Sequence, residues 1–308
     1  MAAAVVLLAA GTVAALGAGL HRRVPAPRAA HRAAGPVVAA APVTVPPVRY
    51  PSPEPALPAA GPGQTYEAES CGSPAFCVAV GAGPDPTHLS QALISTWRGA
   101  AWAVTTSPST PGRQANSLSA VSCSSPQFCV AVGRYERPGA GTEALTEVWD
   151  GRRWSVAAGP GGRAGQLFSV SCPYQGFCVA VGAGGSSGDG VLIESWHGTG
   201  WSIDRAPLPA GAAGGSLAAV SCPSPGFCAA AGSYTGAGGR TDPLIVQFGP
   251  AGWRDVPVGR PSGAGQVSLS AVSCGSAVAC RAGGVAQTGG ADTPVAYSWD
   301  GSGWSQAG

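Results

Sequence analysis

The chain has 308 residues, of which only 10% are charged, and all seventeen basic residues are arginines because lysine is absent. Five of these arginines precede residue 64 together with one acid, Glu54, whereas the other twelve stand against fourteen acids. A nucleic-acid-binding domain carries a basic stripe on its folded part. The charge distribution therefore argues against a nucleic-acid partner.

The first segment of the chain is apolar. Residues 2–20 carry no charge, are nearly long enough to span a bilayer as a helix, and end in the small residues that suit signal-peptidase cleavage. The positive charge that normally precedes a signal sequence is missing, and Arg22 and Arg23 follow the segment instead. We predict that residues 1–23 are either a signal peptide or a membrane anchor, and that membrane contact is confined to this segment.

Residues 24–63 contain eleven prolines among alanine and valine, without apolar periodicity. Such a composition cannot bury a core and favours extended polyproline-like conformations. We predict a disordered Pro/Ala-rich linker, which is either a spacer that holds a domain away from a membrane or wall or simply a leader.

Residues 64–308 contain one short sequence motif five times, in variants such as SCSSPQFCVAVG and SCPSPGFCAAAG. Its first cysteines are 52, 49, 50 and 52 residues apart, a period that matches one four-stranded propeller blade. In the second unit, alternating runs at 117–123, 129–133, 143–149 and 154–158 predict four short strands. The sequence predicts an all-β chain of five such units.

Each unit also predicts a hairpin near its end. Asp-Gly between two β-type runs is a strong hairpin signal, seen in WDGRRW and WDGSGW and altered in the other units. The aromatic residues flanking the turn are expected to face each other across it. They are Trp97/Trp102, Trp149/Trp154, Trp196/Trp201, Phe248/Trp253 and Trp299/Trp304. Their presence in every unit favours packing over the alternative role of stacking on carbohydrate.

The ten cysteines are all in C-x5-C pairs, which predicts one disulfide across the first hairpin of each unit. The pairs are Cys71/Cys77, Cys123/Cys129, Cys172/Cys178, Cys222/Cys228 and Cys274/Cys280. Metal binding is the rival interpretation, but zinc sites prefer shorter spacings and histidine partners, and this part of the chain has only His88 and His197. Five disulfides indicate an oxidising compartment, so we expect an extracellular or cell-envelope location.

An alternating strand, a strand ending in AVG, and a hairpin with Asp-Gly and Trp resemble the unit of Asp-box and kelch-like propellers. Photosystem II assembly-factor-like and sialidase-like propellers have a similar unit. Asp150 and Asp300 match the box aspartate, whereas Arg98, His197 and Gly249 depart from it. The resemblance implies a five-bladed β-propeller in which the box is a structural turn.

Five blades of this kind are expected to close into a ring. The chain ends on WSQAG, so each repeat fills one blade by itself, and we expect closure by packing without strand exchange. The first unit is degraded, since Glu69 stands where the later units have valine.

Catalytic motifs are missing from the sequence. His88 lies in a loop and His197 in a hairpin turn, so neither suggests a Ser-His-Asp arrangement. The glycine clusters do not open a helix and are read as loops, not phosphate sites. We predict no cofactor and no metal. A sialidase-like glycoside hydrolase remains an alternative. Such an enzyme would need Arg, Tyr and acidic side chains that face one central channel.

In an antiparallel meander, the loops joining strands 2–3 and 4–1 share one end of the blades. These loops are long, varied and rich in glycine, and loops on a rigid scaffold are where binding usually resides. Tyr and Arg are favoured at binding hot spots, so the candidate ligand-binding residues are Tyr135, Arg137, Tyr234, Arg240 and Asp242. The alternative is that these loops are solvent-exposed connections without a binding role.

The sequence thus predicts an exported, monomeric, non-catalytic propeller that binds an extracellular or envelope glycan or protein. A purely structural envelope protein is the third alternative, favoured if the loop face has neither a cleft nor an aromatic cluster.

Overall fold

Twenty strands form five four-stranded antiparallel sheets in the described part of the computed structural model, which comprises residues 55–86, 89–105, 107–108, 115–139, 141–157, 164–184, 190–205 and 207–307. Each sheet is a meander of four consecutive strands, here called a blade.

The first blade contains β1 Thr65–Ser73, β2 Phe76–Pro84, β3 Ser90–Trp97 and β4 Trp102–Thr105. The second contains β5 Asn116–Ser125, β6 Phe128–Arg137, β7 Gly141–Trp149 and β8 Trp154–Val156. The third contains β9 Gly165–Tyr174, β10 Phe177–Gly184, β11 Gly190–Trp196 and β12 Trp201–Ile203. The fourth contains β13 Gly214–Ser224, β14 Phe227–Thr235, β15 Thr241–Gly249 and β16 Gly252–Asp255, with a short 3-10 turn at Ala237–Gly239. The fifth contains β17 Ala264–Ser276, β18 Ala279–Thr288, β19 Ala291–Trp299 and β20 Trp304–Gln306. The prediction of five four-stranded units is confirmed.

The second strand of each of the first four blades is buried on both sides, which explains continuous apolar runs such as FCVAV. One side, the forward face, packs on the following blade. In the first blade Phe76, Val78 and Val80 pack there against a cluster from the second blade that includes Leu118 and Trp149. The opposite side, the rear face, carries cysteine, alanine and glycine and packs on the preceding blade.

The glycine that ends each AVG phrase lies against the backbone of the innermost strand. A Cβ at Gly133 would come within 1.9 Å of the Ser117 carbonyl oxygen, and one at Gly232 within 2.0 Å of the Ser216 oxygen. Each inner strand has a register shift next to this point. Only glycine allows that close approach, which is why the repeat retains it.

All five predicted disulfides are present, each across the first hairpin of its blade, and no described cysteine is free. The bonds are Cys71–Cys77, Cys123–Cys129, Cys172–Cys178, Cys222–Cys228 and Cys274–Cys280. The second cysteine of each pair is enclosed in the protein: Cys77, Cys129, Cys178 and Cys228 are 0% exposed, and Cys280 is 4% exposed. These cysteines therefore belong to the core of the blades and not to a solvent-facing site.

The serine before each first cysteine links neighbouring blades. The Cys123 amide donates to Ser70 Oγ (2.9 Å) and the Cys172 amide to Ser122 Oγ (3.0 Å). The corresponding serines of the third and fourth blades accept in the same way from the blade that follows each of them. In this Ser-Cys dipeptide, the cysteine therefore cross-links the first hairpin of its own blade, and the serine accepts a hydrogen bond from the next blade.

The predicted aromatic pairs face each other across the last hairpin of every blade, with ring centroids 5.6 to 6.0 Å apart. In several blades the first indole also donates to the disulfide hairpin, as from Trp149 to the Pro126 carbonyl and from Trp299 to the Ala277 carbonyl, each 3.0 Å. Trp149, Trp154, Trp201 and Trp299 are buried. These contacts support the packing interpretation.

The prediction of a closed ring is wrong. Each blade packs on its sequence neighbours, and the first and fifth blades share no substantial packing interface in the described part of the chain. The forward face of the fifth blade explains this, because Ala279, Arg281 and Gly283 replace the Phe-x-Val-x-Val of the first three blades. Ala279 and Arg281 are exposed, and Val285 on the same strand is 45% exposed. This polar, small-residue face is typical of a terminal capping repeat.

The rear face of the first blade is also altered. Tyr66 and Glu69 occupy the positions of a buried leucine and valine in the second blade, and the Tyr66 hydroxyl bonds Ser95 Oγ at 2.6 Å. The Trp102 indole, equivalent to the rear-face Trp154, donates to the Ala56 carbonyl at 2.7 Å. Chain preceding the first strand therefore lies on the side where a closing blade would pack.

The predicted signal or anchor at residues 1–23 and most of the linker at 24–63 lie outside the described residues. Residues 55–63 are described and contain neither helix nor strand. In the described ranges, none of the helical segments has the length and hydropathy that a membrane crossing would need.

Restoring the repeat pattern on the fifth blade is expected to cause self-association. The triple variant Ala279→Phe/Arg281→Val/Gly283→Val would expose a large apolar surface at the end of the array, and such patches drive association. Light scattering coupled to size exclusion should show dimers or larger species at concentrations where the wild type keeps its mass. Arg152→Val, at an exposed hairpin position, is the control and should not change the mass. An unchanged mass for the triple variant would contradict the capping interpretation.

Candidate functional site

The loop face is the end of the blades that carries the second-to-third-strand hairpins and the connections between blades. Tyr135 and Arg137 lie at the end of β6, and Tyr234 lies at the end of β14. Tyr135 pairs with Glu143 and Tyr234 with Asp242 in the same register of the second and fourth blades. The five predicted ligand-binding residues therefore form two separate clusters, one in each of these blades.

The predicted cysteines lie away from this face. Each disulfide joins the first and second strands next to their hairpin, which is at the opposite end of the blade. Burial closes the second member of every pair to solvent, namely Cys77, Cys129, Cys178, Cys228 and Cys280. The cysteines therefore cross-link the hairpins at the end of the blades opposite the loop face.

The fourth-blade cluster is built around Asp242, whose side chain is only 8% exposed. Arg240 Nε lies 3.5 Å from its Oδ2, and Arg260 bonds its Oδ1. Arg260 comes from the connection between the fourth and fifth blades and also donates to the Gly265 carbonyl at 2.5 Å. Two loops of the same face are thus joined through one buried carboxylate.

A cleft of about 410 Å³ opens beside this cluster. Its walls are the start of β13 and the end of β14, with Thr241 from β15. The lining combines one aromatic ring with hydroxyl groups and bare backbone: Ala213, Gly214, Gly215, Ser216, Ser233, Tyr234, Thr235 and Thr241. A concave surface with a few convergent polar groups is the usual form of a small-molecule site.

The second-blade cluster repeats the arrangement of carboxylate, arginine and tyrosine. Glu143 is buried, accepts a short hydrogen bond from the Tyr135 hydroxyl, and lies 3.2 Å from Arg137 Nε. In the fourth blade, by contrast, no hydrogen bond to another described residue involves the Tyr234 hydroxyl. The Tyr234 hydroxyl is therefore better placed than that of Tyr135 to meet a ligand.

The electrostatics of both tyrosines favour the protonated phenol. Burial, followed by the hydrogen bond and charge of Glu143, raises the pKa of Tyr135. Burial, followed by the charges of Asp242 and Asp255, raises the pKa of Tyr234. A nucleophilic tyrosine needs the opposite shift. These phenols suit hydrogen bonding and stacking.

Two further carboxyl groups are enclosed between blades. Glu147 is 0% and Glu194 3% exposed, on the rear faces of the second and third blades, and Oε2 of each has no hydrogen-bond partner among the described residues. Burial raises the pKa of each to about 7, and the Ser107 hydroxyl, which donates to Glu147 at 2.8 Å, acts in the opposite direction on the pKa of Glu147. Both carboxyl groups are therefore enclosed between blades and not displayed on the loop face.

Two histidines and two acidic residues remain among the candidates. His197 is exposed in the β11–β12 turn, as predicted, and His88 lies outside the described residues. Glu69 lies close to the sulfurs of Cys71 and Cys77, but their disulfide removes the thiolates that a metal would need. Asp150 accepts from the backbone amides of the two arginines that follow it in the turn, as expected for a structural residue.

Sequence reasoning missed Glu143, Arg260 and the two enclosed glutamates. The alternation of EALTEVW places Glu143 and Glu147 on the face of Leu145 and Trp149, which the structure buries, so that pattern could have shown them. Arg260 stands in an irregular connection whose sequence has no periodic signal.

No protein-family model matches the chain, and no curated protein sequence matches it. Several solved structures are similar. The SapL1 lectin in complex with α-methyl fucoside has 15% identity and a TM-score of 0.48, with 80% of each chain covered. The GH74 xyloglucanase from Xanthomonas campestris has 13% identity and a TM-score of 0.48, with 78% of this chain and 38% of that chain covered. YCF48 bound to D1 peptide has 12% identity and a TM-score of 0.46, with 79% and 66% covered.

The chain thus spans less than two thirds of the YCF48 and xyloglucanase chains. At these levels of identity the similarity concerns overall architecture alone.

Proposed function

We propose that the protein is an exported, non-catalytic binding protein that takes a glycan in the cleft of the fourth blade. The observation that carries this proposal is the cleft itself, where the Tyr234 ring stands beside the hydroxyl-bearing Ser216, Ser233, Thr235 and Thr241. An aromatic ring offers an apolar face to a sugar ring, and hydroxyls and backbone groups match its alternating donors and acceptors. The cleft and its aromatic lining also count against a purely structural role.

Two features support binding without catalysis. The raised pKa of Tyr234 keeps the phenol protonated at neutral pH, which is unfavourable for a sialidase-like tyrosine nucleophile. The two acids whose pKa is near 7, as a general acid requires, are sealed between blades. A protein ligand on the same loop face is the alternative that the binding test separates.

Export is part of the proposal. Five disulfides persist only in an oxidising compartment, and they support an extracellular or cell-envelope location. Residues 1–23 would then direct or anchor the chain, with residues 24–63 as the tether. The proposal includes kinship with Asp-box and kelch-like propellers, which the amide-accepting turn aspartates Asp150 and Asp300 support.

The test is a glycan array, followed by titration calorimetry, with the full chain and two tyrosine variants. Tyr234→Ala should weaken binding about tenfold or more, equivalent to about 1.4 kcal/mol, because it removes the aromatic wall of the cleft. Tyr174→Ala is the matched control, since Tyr174 is 48% exposed next to the disulfide hairpin at the other end of the third blade. Wild-type affinity in Tyr234→Ala would contradict the proposed site. Release of the aglycone from chromogenic glycosides would overturn the non-catalytic assignment.

A further inference from the structure

The clusters of the second and fourth blades present an arginine to solvent in the same way. Arg137 Nε is held 3.2 Å from Glu143, and the two side chains are 53% and 5% exposed. Arg240 Nε is held 3.5 Å from Asp242, and the two side chains are 55% and 8% exposed. In each case the carboxylate is the inner partner and the guanidinium the outer one, beside a tyrosine in the same register.

Each arginine keeps donors for a ligand. Its Nε faces the buried carboxylate, Arg137 also makes a side-chain hydrogen bond with the Tyr135 hydroxyl, and more than half of each arginine side chain is exposed. The buried partner restrains the side chain before a ligand arrives, which reduces the entropy lost on binding. An exposed guanidinium edge matches the paired oxygens of a carboxylate or phosphate.

Several other charged groups near the two clusters already have hydrogen-bond or ion-pair partners. In the second blade Glu136 accepts from the Thr142 hydroxyl, and Arg134 donates to Gln166. In the fourth blade Arg260 is bonded to Asp242, and Asp255 is half-buried. Beside the two tyrosines, Arg137 and Arg240 are exposed arginines held by a buried carboxylate.

We propose that the second and fourth blades carry two equivalent anion sites, which bind two acidic groups of a single anionic polymer. This inference rests on the proposed function and names its ligand class. Both clusters lie on the loop face and are separated by the third blade, where the equivalent pair is Gly184 and Gly190 and supplies neither an aromatic nor a charged group. A polymer that reaches both sites gains affinity because its second contact is intramolecular.

The test compares acidic polymers of graded length by calorimetry with the full chain. Oligogalacturonates represent carboxylates, poly(glycerol phosphate) represents phosphates, and carboxyl-reduced oligogalacturonates of equal length are the neutral control. Wild-type affinity should rise about 100-fold once an acidic oligomer is long enough to reach both sites. The reduced series should show no such rise. A rise with either anion supports the proposal, and the series that shows it identifies the acidic group.

Arg137→Gln and Arg240→Gln should each remove the length-dependent gain while leaving the affinity for short oligomers within a few-fold of one wild-type site. Arg281→Gln, on the exposed face of the fifth blade, is the matched control and should keep the gain. Because removing an arginine leaves its carboxylate uncompensated, thermal denaturation checks each fold. A second pair of variants is Arg137→Lys and Arg240→Lys. They retain the positive charge but lack the planar guanidinium group, so they should lose most of the length-dependent gain in affinity.

Equal affinity for acidic and carboxyl-reduced oligomers would overturn this inference while leaving glycan binding at Tyr234 intact. A length-dependent gain that survives in Arg137→Gln would also overturn it. Failure of every glycan to bind would instead overturn the proposed function.

Discussion

Replacing Glu147 with glutamine is expected to raise the free energy of unfolding by about 3 kcal/mol at pH 8.5 and to leave it unchanged at pH 4. Burial raises the pKa of Glu147 from 4.5 to about 7 in the folded protein. A tenfold change in the proton-binding constant between the folded and unfolded states corresponds to about 1.4 kcal/mol. Above pH 7 the folded protein must therefore hold an unfavourable buried charge, which glutamine removes while preserving shape.

The sign of the pH dependence follows from proton binding. Between pH 4.5 and 7 the unfolded chain releases the Glu147 proton while the folded chain retains it, so wild-type stability falls as the pH rises through this window. Below pH 4.5 both states are protonated, and the variant has no advantage. Urea denaturation followed by tryptophan fluorescence at a series of pH values would measure the difference.

Two further variants serve as comparisons in this experiment. Glu194→Gln, at the interface between the second and third blades, should behave alike, because burial raises the pKa of Glu194 to about 7 as well. Glu67→Gln changes an exposed glutamate and should leave the profile unaltered. A Glu147→Gln protein whose stability follows wild type from pH 4 to 8.5 would show that this carboxylate is solvated.

Reduction of the five disulfides is expected to unfold the protein at 25 °C. Closing so short a loop contributes about 2 kcal/mol in the chain-entropy model, and five such loops contribute on the order of 10 kcal/mol. That sum is comparable to the whole stability of an ordinary domain. The fourth blade illustrates the need, since its forward face has Ala229 and Ala231 where the first three blades have valine.

The measurement is near-ultraviolet circular dichroism, before and after forced reduction without denaturant, with mass spectrometry of an alkylated aliquot to count the open bridges. The reduced protein should lose its tryptophan signal. Air reoxidation should restore it, which separates unfolding from chemical damage. A fully reduced sample with a native spectrum and a melting temperature within a few degrees would show that packing and hydrogen bonds suffice.

The architecture was readable because it is repeated. One C-x5-C pair or one Asp-Gly turn is ambiguous, but five pairs at a period near 50, each followed by facing aromatics, leave few alternatives. The predicted 129–133 strand is longer in the structure, β6 Phe128–Arg137, because the ladder continues into a loop-face sequence without apolar alternation.

Ring closure could not be read from the repeat itself, because it depends on the two end surfaces. The sequence shows Arg281 at the position where the first three blades have valine. This change indicates a solvent-exposed face only once that position is known to lie on the forward face of the blade. For the candidate site, the tyrosines and two of the three arginines stood in predicted loops. Arg260 became a partner of Asp242 only through the approach of two connections distant in sequence.

The serine bonds between blades have a direction. Each unit offers a hydroxyl acceptor to its successor and an amide donor to its predecessor, with a covalent bridge in the same dipeptide. Every internal junction thus uses the same pair of groups. A chain built this way could grow or shorten by whole modules during evolution, provided that its first and last members kept their polar ends.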